Sequence, residues 1–393
     1  MATPVIDLLS GELFGERARE TYAWMRDHSP VHRDVNGLWG VSRYADLVRV
    51  AKDPASFSNA GGSRPNTGPL PWMIDLDPPE HAKRRKLVSK AFAPGRVRAS
   101  EPHIARICDE LLDTVCERGE CDLVRDLAAP LPLIVIGDML GVAPGDRGDL
   151  LRWSDGMLSS LSGDPDDLER AAVAFGEYTD YAGRVIAARR EDPTDDLVSV
   201  LVHAEVDGER LTEDEIVFES LLILVGGDET TRHVISGGTE QLLANENEHR
   251  KLRDDPGRLA AAIEEMLRWV SPIKNMARTA TRDLELCGEQ VPAGAKLLLL
   301  YESANFDERQ FAEPQRFTID RVPNDHLAFG FGPHFCLGAS LARVELTAMF
   351  ERLLRRLPDL RLATEAPLPR FLGAIESMPV SFSPSAPVLD ERR

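Results

Sequence analysis

The sequence predicts a mainly α fold with small β-sheets, arranged as one domain over residues 1–393. Apolar residues recur at helical spacing along most of the chain. Strand-like runs are short and gather near 30–42 and 270–300. A hydrophobic share of 43% and a charged share of 28% are typical of a soluble globular protein with a large buried core.

Nine segments have the pattern of helices. They lie near 11–28, 43–52, 79–92, 99–118, 145–161, 167–190, 212–244, 256–269 and 337–356. Thr212 followed by Glu215 predicts a capping box at the start of the longest of them. Asp255 before Pro256 predicts an N-cap with proline in the first helical turn.

Two hairpins are expected. Val31–His32 and Leu38–Val41 flank an Asn-Gly pair, a strong signal for a tight turn between antiparallel strands. Leu284–Val291 and Lys296–Leu300 are expected to pair across the Pro-Ala-Gly sequence that separates them. The β-structure should therefore lie in two places along the chain.

Charge and cysteine content exclude several classes of protein. The net charge of −19 repels nucleic acid and disfavours a DNA- or RNA-binding role. Five cysteines, an odd number, argue against a disulfide framework, and we expect most of them to be small buried side chains. No run reaches the roughly 18 apolar residues that cross a bilayer. Since the first residues also lack a signal-peptide pattern, the expected location is the cytoplasm.

The most informative segment is the loop Phe329–Gly338, which holds Cys336 just before a predicted helix. The helix dipole and the free backbone N–H groups at that position favour a thiolate, which can bind a metal. Phe329 is expected to pack beside the sulfur and exclude water. The alternative is an ordinary buried cysteine in a glycine-rich turn.

This segment resembles the haem-binding signature of the cytochrome P450 family. The resemblance implies haem b bound by the thiolate of Cys336, with Phe329, His334 and Gly338 in contact with the haem. A thiolate opposite the oxygen on haem iron favours O–O cleavage. The resemblance therefore implies a monooxygenase that uses O2, with the fold of that family over nearly the whole chain.

Glu265 and Arg268 are three residues apart on the helix that follows Pro256, so they share one face and can pair. Alone, such a pair is more often a solvated surface contact. In the resembled family the pair is buried near the thiolate side of the haem. Arg321 corresponds to its third partner, and we expect all three to be structural.

The longest predicted helix contains Gly226 and Gly227, which weaken a helix interior, followed by Glu229 and Thr230. Thr230 can bond back to a carbonyl and help to open a groove for oxygen. An acid beside a hydroxyl suits proton relay, and the family's oxygen-activation motif has this pattern. We expect Glu229 and Thr230 to be catalytic, and Gly226 to contact both haem and substrate. The alternative is a helix kink with a solvated acid.

His81 and Arg85 are four residues apart on a predicted helix and can hold an anion together. The resemblance implies that they bind the haem propionates with Arg278 and His334. The segment around them is rich in basic residues: Lys83, Arg84, Arg85, Lys86, Lys90, Arg96 and Arg98. It is either a solvated helix face or a docking surface for an acidic ferredoxin, which a ferredoxin reductase would supply with electrons.

The substrate pocket is expected to be apolar and to hold a large hydrophobic molecule. In this family it is lined by the loop near 60–75, the segment near 160–175, the long helix, residues 272–277 and the turn near 371–378. Here these segments supply Pro69, Leu70, Trp72, Met73, Ile74, Leu222, Val225, Gly226, Pro272, Ile273, Met276, Ile375 and Met378. The alternative is that many of these side chains are simply core.

Further motifs, such as residues 226–233 and 302–307, are similar to those of actinobacterial P450s that hydroxylate a terminal methyl of the cholesterol side chain. Hydroxylation of a sterol side chain is therefore the leading hypothesis. Hydroxylation of a macrolide, a terpenoid or another secondary metabolite is the second. A haem-based sensor and a peroxide-driven enzyme are also considered, but Glu229 and Thr230 favour an enzyme fed by a reductase.

Overall fold

The computed structural model describes residues 4–10, 13, 16–65, 67–159, 164–371 and 373–389. Its α-helices are α1 (Glu16–His28), α2 (Tyr44–Lys52), α3 (Glu80–Val88), α4 (Pro94–Asp113), α5 (Pro130–Met139), α6 (Arg147–Ser159), α7 (Pro165–Glu191), α8 (Leu197–His203), α9 (Glu213–Ala244), α10 (Glu246–Asp254), α11 (Leu259–Val270), α12 (Tyr301–Asn305) and α13 (Ala339–Arg356). Its strands are β1 (Val31–Arg33), β2 (Trp39–Val41), β3 (Phe57–Ser58), β4 (Glu120–Asp122), β5 (Asn275–Ala280), β6 (Leu284–Leu286), β7 (Glu289–Val291), β8 (Lys296–Leu300), β9 (Arg361–Leu362), β10 (Arg370–Phe371), β11 (Ala374–Ile375) and β12 (Pro379–Ser381).

The mainly α fold is confirmed, and each of the nine predicted helices has a counterpart. Residues 11, 12, 14 and 15 of the first prediction, and 160 and 161 of the fifth, lie outside the described residues. The capping box is formed, since Thr212 accepts from the Glu215 N–H and Glu215 accepts from the Thr212 N–H. Asp255 caps a single 3-10 turn, Pro256–Arg258, which leads into α11.

Four helices, α5, α8, α10 and α12, were missed. The sequence of α5 is apolar almost throughout, because the helix is buried against α4, α6 and α9 and has little solvent-facing surface. Such a helix lacks the periodicity that marks an amphipathic one. α8 is only 7 residues long, too short for a periodic signal.

The larger sheet has the strand order β1-β2-β8-β5-β3 and joins the two predicted β-regions. The β1–β2 hairpin is confirmed, with Val31 opposite Val41. The second predicted hairpin is wrong. β6 pairs with β7 inside the 284–291 segment, while β8 pairs with β2 and β5.

Burial of β8 explains why it pairs with β2 and β5 and not with the 284–291 segment. β8 is apolar and buried from Leu297 to Leu300, so its backbone groups need a strand on each side. Cys287 and Gly288 both have positive φ, 53° and 84°, which makes a two-residue hairpin turn between β6 and β7.

The largest apolar cluster lies among the helices, and α9 runs through it against α5, α11 and α13. Two smaller clusters lie around the larger sheet and α1. In the part of the chain that the structure describes, no helix is both long and apolar enough to span a membrane.

Candidate active site

Cys336 lies between a 3-10 turn, Gly332–His334, and the first turn of α13. Its N–H donates to the Phe329 carbonyl at 2.9 Å, which closes the loop. Gly330 and Gly332 have φ of 70° and 74°, and a Cβ at Gly332 would lie 2.4 Å from the Ala51 carbonyl oxygen. Only glycine fits there, because the loop lies directly on the end of α2.

Cys336 is an exposed residue, yet protein atoms surround its sulfur. The side chain therefore faces a recess in the protein. Burial raises the pKa of the thiol, whereas the Gly338 N–H and the cations Arg85 and Arg343 lower it. The Arg343 guanidinium lies 4.5 Å from the centre of the Phe329 ring. A sulfur with a backbone donor and two nearby cations is suited to act as a thiolate ligand.

Glu265 and Arg268 are fully buried and paired, with Arg268 Nε 2.8 Å from Glu265 Oε2. Arg321 joins them at 2.9 Å from the same oxygen. Arg268 also donates to the carbonyls of Asn305 and Pro314. This network, which we call the buried triad, fixes the chain that leads into the cysteine loop, and the surface-pair alternative is ruled out.

The four predicted propionate ligands come together. The His81 and His334 rings lie 4.0 Å apart, and the Nε2 atoms of both are buried without a hydrogen-bond partner among the described residues. Arg85 and Arg278 both lower the pKa of each histidine, in addition to the effect of burial. A cluster of donors without its own anion is a suitable site for carboxylates from a ligand.

Glu229 and Thr230 lie in the middle of α9, which stays helical through both glycines. Thr230 Oγ1 donates to the Gly226 carbonyl at 3.1 Å, as expected. A Cβ at Gly226 would meet no described atom within 4 Å, whereas one at Gly227 would clash with Ile136. The Gly226 face of the helix is therefore open and the Gly227 face is packed.

Glu229 pairs with Arg232 at 2.9 Å. Burial raises the pKa of the Glu229 carboxyl, Arg232 lowers it, and the neighbouring Asp228 raises it. A half-buried carboxyl with a raised pKa takes up a proton more readily than an exposed one, which suits a proton relay.

The predicted substrate residues fall into two groups that differ in how deeply they are buried. Met73, Ile375 and Met378 are core side chains, with Met378 fully buried. The others are half-buried or exposed: Pro69, Leu70, Trp72, Ile74, Leu222, Val225, Gly226, Pro272, Ile273 and Met276. For Met378 the core interpretation applies. The part of the 160–175 segment at 160–163 lies outside the described residues.

A cavity of about 540 Å³ lies beside the C-terminal half of α9. Pro272 and Ile375 line it, as do charged side chains such as Arg19, Lys274 and Glu302. Leu222, Val225 and Gly226 are not among its lining residues, so this cavity is not the apolar pocket expected from the sequence.

The comparisons with known proteins agree with this geometry. The family model for cytochrome P450 matches residues 257–367, which include α11, the buried triad and Cys336. The chain is 56% identical over 393 residues to a steroid C26-monooxygenase of Mycobacterium tuberculosis, covering 98% of this chain and 99% of that one. The chain belongs to the cytochrome P450 family.

Two solved P450 structures extend the likeness to the fold. PksS of the Bacillus subtilis bacillaene polyketide synthase has a TM-score of 0.90 and 34% identity, and the match covers 96% of this chain and all of PksS. CYP109E1 from Bacillus megaterium in complex with testosterone has a TM-score of 0.84 and 35% identity, covering 93% of this chain and 99% of that one. This P450 is an oxidoreductase of the monooxygenase class, and the expected kinship with actinobacterial sterol hydroxylases is confirmed.

The donor set of this P450 fits haem. P450s hold haem through a cysteine thiolate, and Cys336 faces a recess beside two cations. The Nε2 atoms of His81 and His334, which have no hydrogen-bond partner in the part of the chain that the structure describes, could donate to propionate oxygens. The open face at Gly226 leaves room beside a flat ring.

Sequence reasoning missed two residues near this site. Tyr301 is buried and hydrogen-bonded to Arg278, and Arg64 lies close enough to Glu229 for their charges to interact. Both come from segments without a motif, so no local signal pointed to them. Asp228, next to Glu229, is fully buried and accepts from Ser154, with its pKa raised to about 6 by burial.

The basic segment around α3 is less positive in the structure than in the sequence. Acidic residues of the 195–219 region pair with several of its members: Lys83 with Glu209, Arg84 with Glu215 and Glu219, Lys86 with Asp207, and Arg96 with Asp195. Arg84 is directed inward and is not available to a partner protein.

Proposed function

We propose that this P450 hydroxylates the end of a sterol side chain, in a molecule such as cholesterol or cholest-4-en-3-one. The observation that carries the proposal is the 56% identity to the steroid C26-monooxygenase over almost the full length of both chains. The P450 solved with testosterone supports it, since a steroid is accommodated by a closely similar fold.

We assign Cys336 as the residue whose thiolate would bind the haem iron, and His81, Arg85, Arg278 and His334 as the residues that would hold its propionates. Haem with a thiolate ligand supplies the activation of O2 when it is bound. The two arginines and two histidines would hold the propionates, and Phe329 and Gly338 would contact the haem. Binding of the group by three separate segments, α3, β5 and the cysteine loop, would explain why they converge.

We assign Glu229 and Thr230 to proton delivery. Burial raises the pKa of the Glu229 carboxyl above its ordinary value, which favours its uptake of a proton. Thr230, one residue on, holds a proton at Oγ1 on the open Gly226 face. The alcohol can take a proton from the acid on one side and present it to oxygen on the other.

We assign substrate contact to the half-buried apolar side chains on three segments. These are Trp72 and Ile74 from the loop before α3, Leu222 and Val225 from α9, and Ile273 and Met276 beside β5. Met73 and Ile375 shape the pocket from the core. Apolar walls exclude water and orient a hydrocarbon chain by shape.

Electrons are proposed to come from a ferredoxin and its reductase, in the cytoplasm. The acidic pairs leave Lys90 and Arg98, both exposed, as members of the basic segment without a carboxylate partner among the described residues, because four of their basic neighbours already face carboxylates.

Two spectra and one product analysis test the function. A strongly red-shifted Soret band of the reduced protein with carbon monoxide establishes thiolate ligation. Titration with cholest-4-en-3-one should shift the ferric spectrum from low to high spin, and turnover should add one oxygen at the terminal methyl. A thiolate band without any sterol shift would leave a P450 for another substrate, such as a secondary metabolite.

A further inference from the structure

A buried carboxylate on α9, Glu219, contacts the loop that precedes α3. Its side chain is fully buried, and Oε1 accepts from the Met73 backbone N–H at 2.7 Å. Arg84 Nη1 lies 3.3 Å from the same oxygen and donates to the Pro71 carbonyl at 2.7 Å. Glu219 and Arg84 thus hold both the N–H of one loop residue and the carbonyl of another.

The loop itself, residues 69–75, is organised around Asp75. The Leu70 N–H and the Trp72 indole Nε1–H both donate to Asp75 Oδ2, at 2.9 and 2.8 Å. The Ser63 N–H donates to the other oxygen at 2.7 Å. These bonds give the loop a fixed shape, but it is Glu219 and Arg84 that tie this shape to α9 and α3.

The position of Glu219 on α9 connects this tie to the substrate side. Leu222 and Gly226 follow it by three and seven residues, so all three lie on one face of the helix. Seven residues correspond to about 10 Å along the axis. The attachment of the loop therefore lies about two turns from the open groove, beside a side chain assigned to the substrate pocket.

We propose that Glu219 is a positioning residue that fixes the loop of Trp72 and Met73 against α9 and thereby sets the affinity of the pocket for its substrate. The proposal rests on the assignment of this loop to the pocket under the proposed function. A residue important only for stability would weaken the fold without changing the loop or the substrate affinity selectively.

Protonation of Glu219 gives the attachment a pH dependence. Burial raises its pKa to about 7, Arg84 from α3 and the Met73 N–H lower it, and Glu215 one turn earlier raises it. With the loop detached, the carboxyl would be solvated and return toward its ordinary value of 4.5. The attached loop therefore binds the proton more tightly, so attachment is strongest at low pH and weakens as pH rises from about 4.5 to about 7.

The principal test is Glu219→Met in the full-length holoprotein, which keeps the volume but leaves the Met73 N–H without an acceptor. We expect faster hydrogen exchange in the 69–76 peptide of the substrate-free protein. The Kd for cholest-4-en-3-one and the KM should rise about tenfold, the effect of one hydrogen bond to a charged group. The kcat should change far less, since the oxygen groove is untouched.

Two further variants separate positioning from stability. Glu219→Gln keeps an acceptor for Met73 and should restore loop protection and affinity, but the loss of sterol affinity between pH 5 and pH 7 should disappear. Glu215→Gln is the matched control, because Glu215 also pairs with Arg84 yet the loop N–H is held by Glu219. It should leave loop exchange and the size of the Kd change with pH unchanged, with the midpoint moved to slightly lower pH because Glu215 no longer raises the pKa of Glu219.

The outcomes are distinguishable. Wild-type loop exchange and wild-type Kd in Glu219→Met would overturn the proposal. If Glu219→Met does not retain haem, Glu219→Gln is the deciding variant. An unaltered dependence of sterol affinity on pH in Glu219→Gln would overturn the pH-dependent attachment. If the wild-type protein binds no sterol at all, the proposed substrate fails, while loop exchange still tests the role of Glu219.

Discussion

The cysteine side and the substrate side of this P450 are built in different ways. The chain into the cysteine loop is fixed by the buried triad, in which Arg268 holds Glu265 and two backbone carbonyls. The loop on the substrate side is tied to α9 through one carboxylate, Glu219, and its arginine partner. A redundantly bonded region keeps one geometry for chemistry, whereas a region with few attachments can adapt to the ligand.

The largest expected effect is on the cysteine side. Cys336→Ser removes the thiolate, so the red-shifted carbon monoxide band should be lost and hydroxylation should fall below detection. Cys287→Ser is the matched control, because Cys287 is also exposed but lies in the β6–β7 turn. A thiolate band that persists in the Cys336 variant would show that another residue is the ligand.

A substitution in the buried triad should have the second-largest effect, which is on the stability of the fold. Glu265→Gln leaves the buried Arg268 without its charged partner and should lower the free energy of unfolding by about 3–5 kcal/mol. Glu313→Gln is the control, since its pair with Arg316 is exposed and should change stability by less than about 0.5 kcal/mol. Urea denaturation of the two variants measures both values. Equal losses would mean that the triad does not hold the region in place.

The same contrast between the cysteine side and the substrate side explains how much of the site could be predicted from the sequence. The cysteine side depends on short local motifs, so the resemblance to the family was enough to predict that Glu265 and Arg268 form a buried pair and that His334 lies beside His81. The capping box at Thr212 and the β1–β2 hairpin could also be predicted, because the residues in contact are close together in the sequence.

The substrate side depends on contacts between distant segments. The Glu219–Met73 bond joins residues 146 positions apart, and nothing in either segment signals it. Met378 illustrates the same limit, since only the packed structure reveals that it is core. The wrong pairing of Lys296–Leu300 has a similar cause, because its partner β2 lies far away in the chain.

Proton delivery on α9 should show an intermediate effect that separates electron use from product formation. Thr230→Ala removes the hydroxyl on the open face, so product formation should fall on the order of 10²-fold while electron consumption continues. Ser236→Ala is the control, because its hydroxyl makes a similar bond to the carbonyl four residues earlier. Product formed per electron is the measurement, and an unchanged yield would contradict the relay.

The smallest of these effects is expected among the four side chains assigned to the propionates, because they share the binding energy between them. Arg85→Met removes one charged donor, a loss of about 1.5–3 kcal/mol, so haem transfer to apomyoglobin should be roughly ten- to hundredfold faster. Lys86→Met alters the adjacent exposed cation, which pairs with Asp207, and should not change the rate. Since Arg85 also lowers the pKa of His81, the variant should let His81 titrate at higher pH. An unchanged haem transfer rate would mean that Arg85 serves only to hold the Phe335 carbonyl, its one hydrogen-bond acceptor among the described residues.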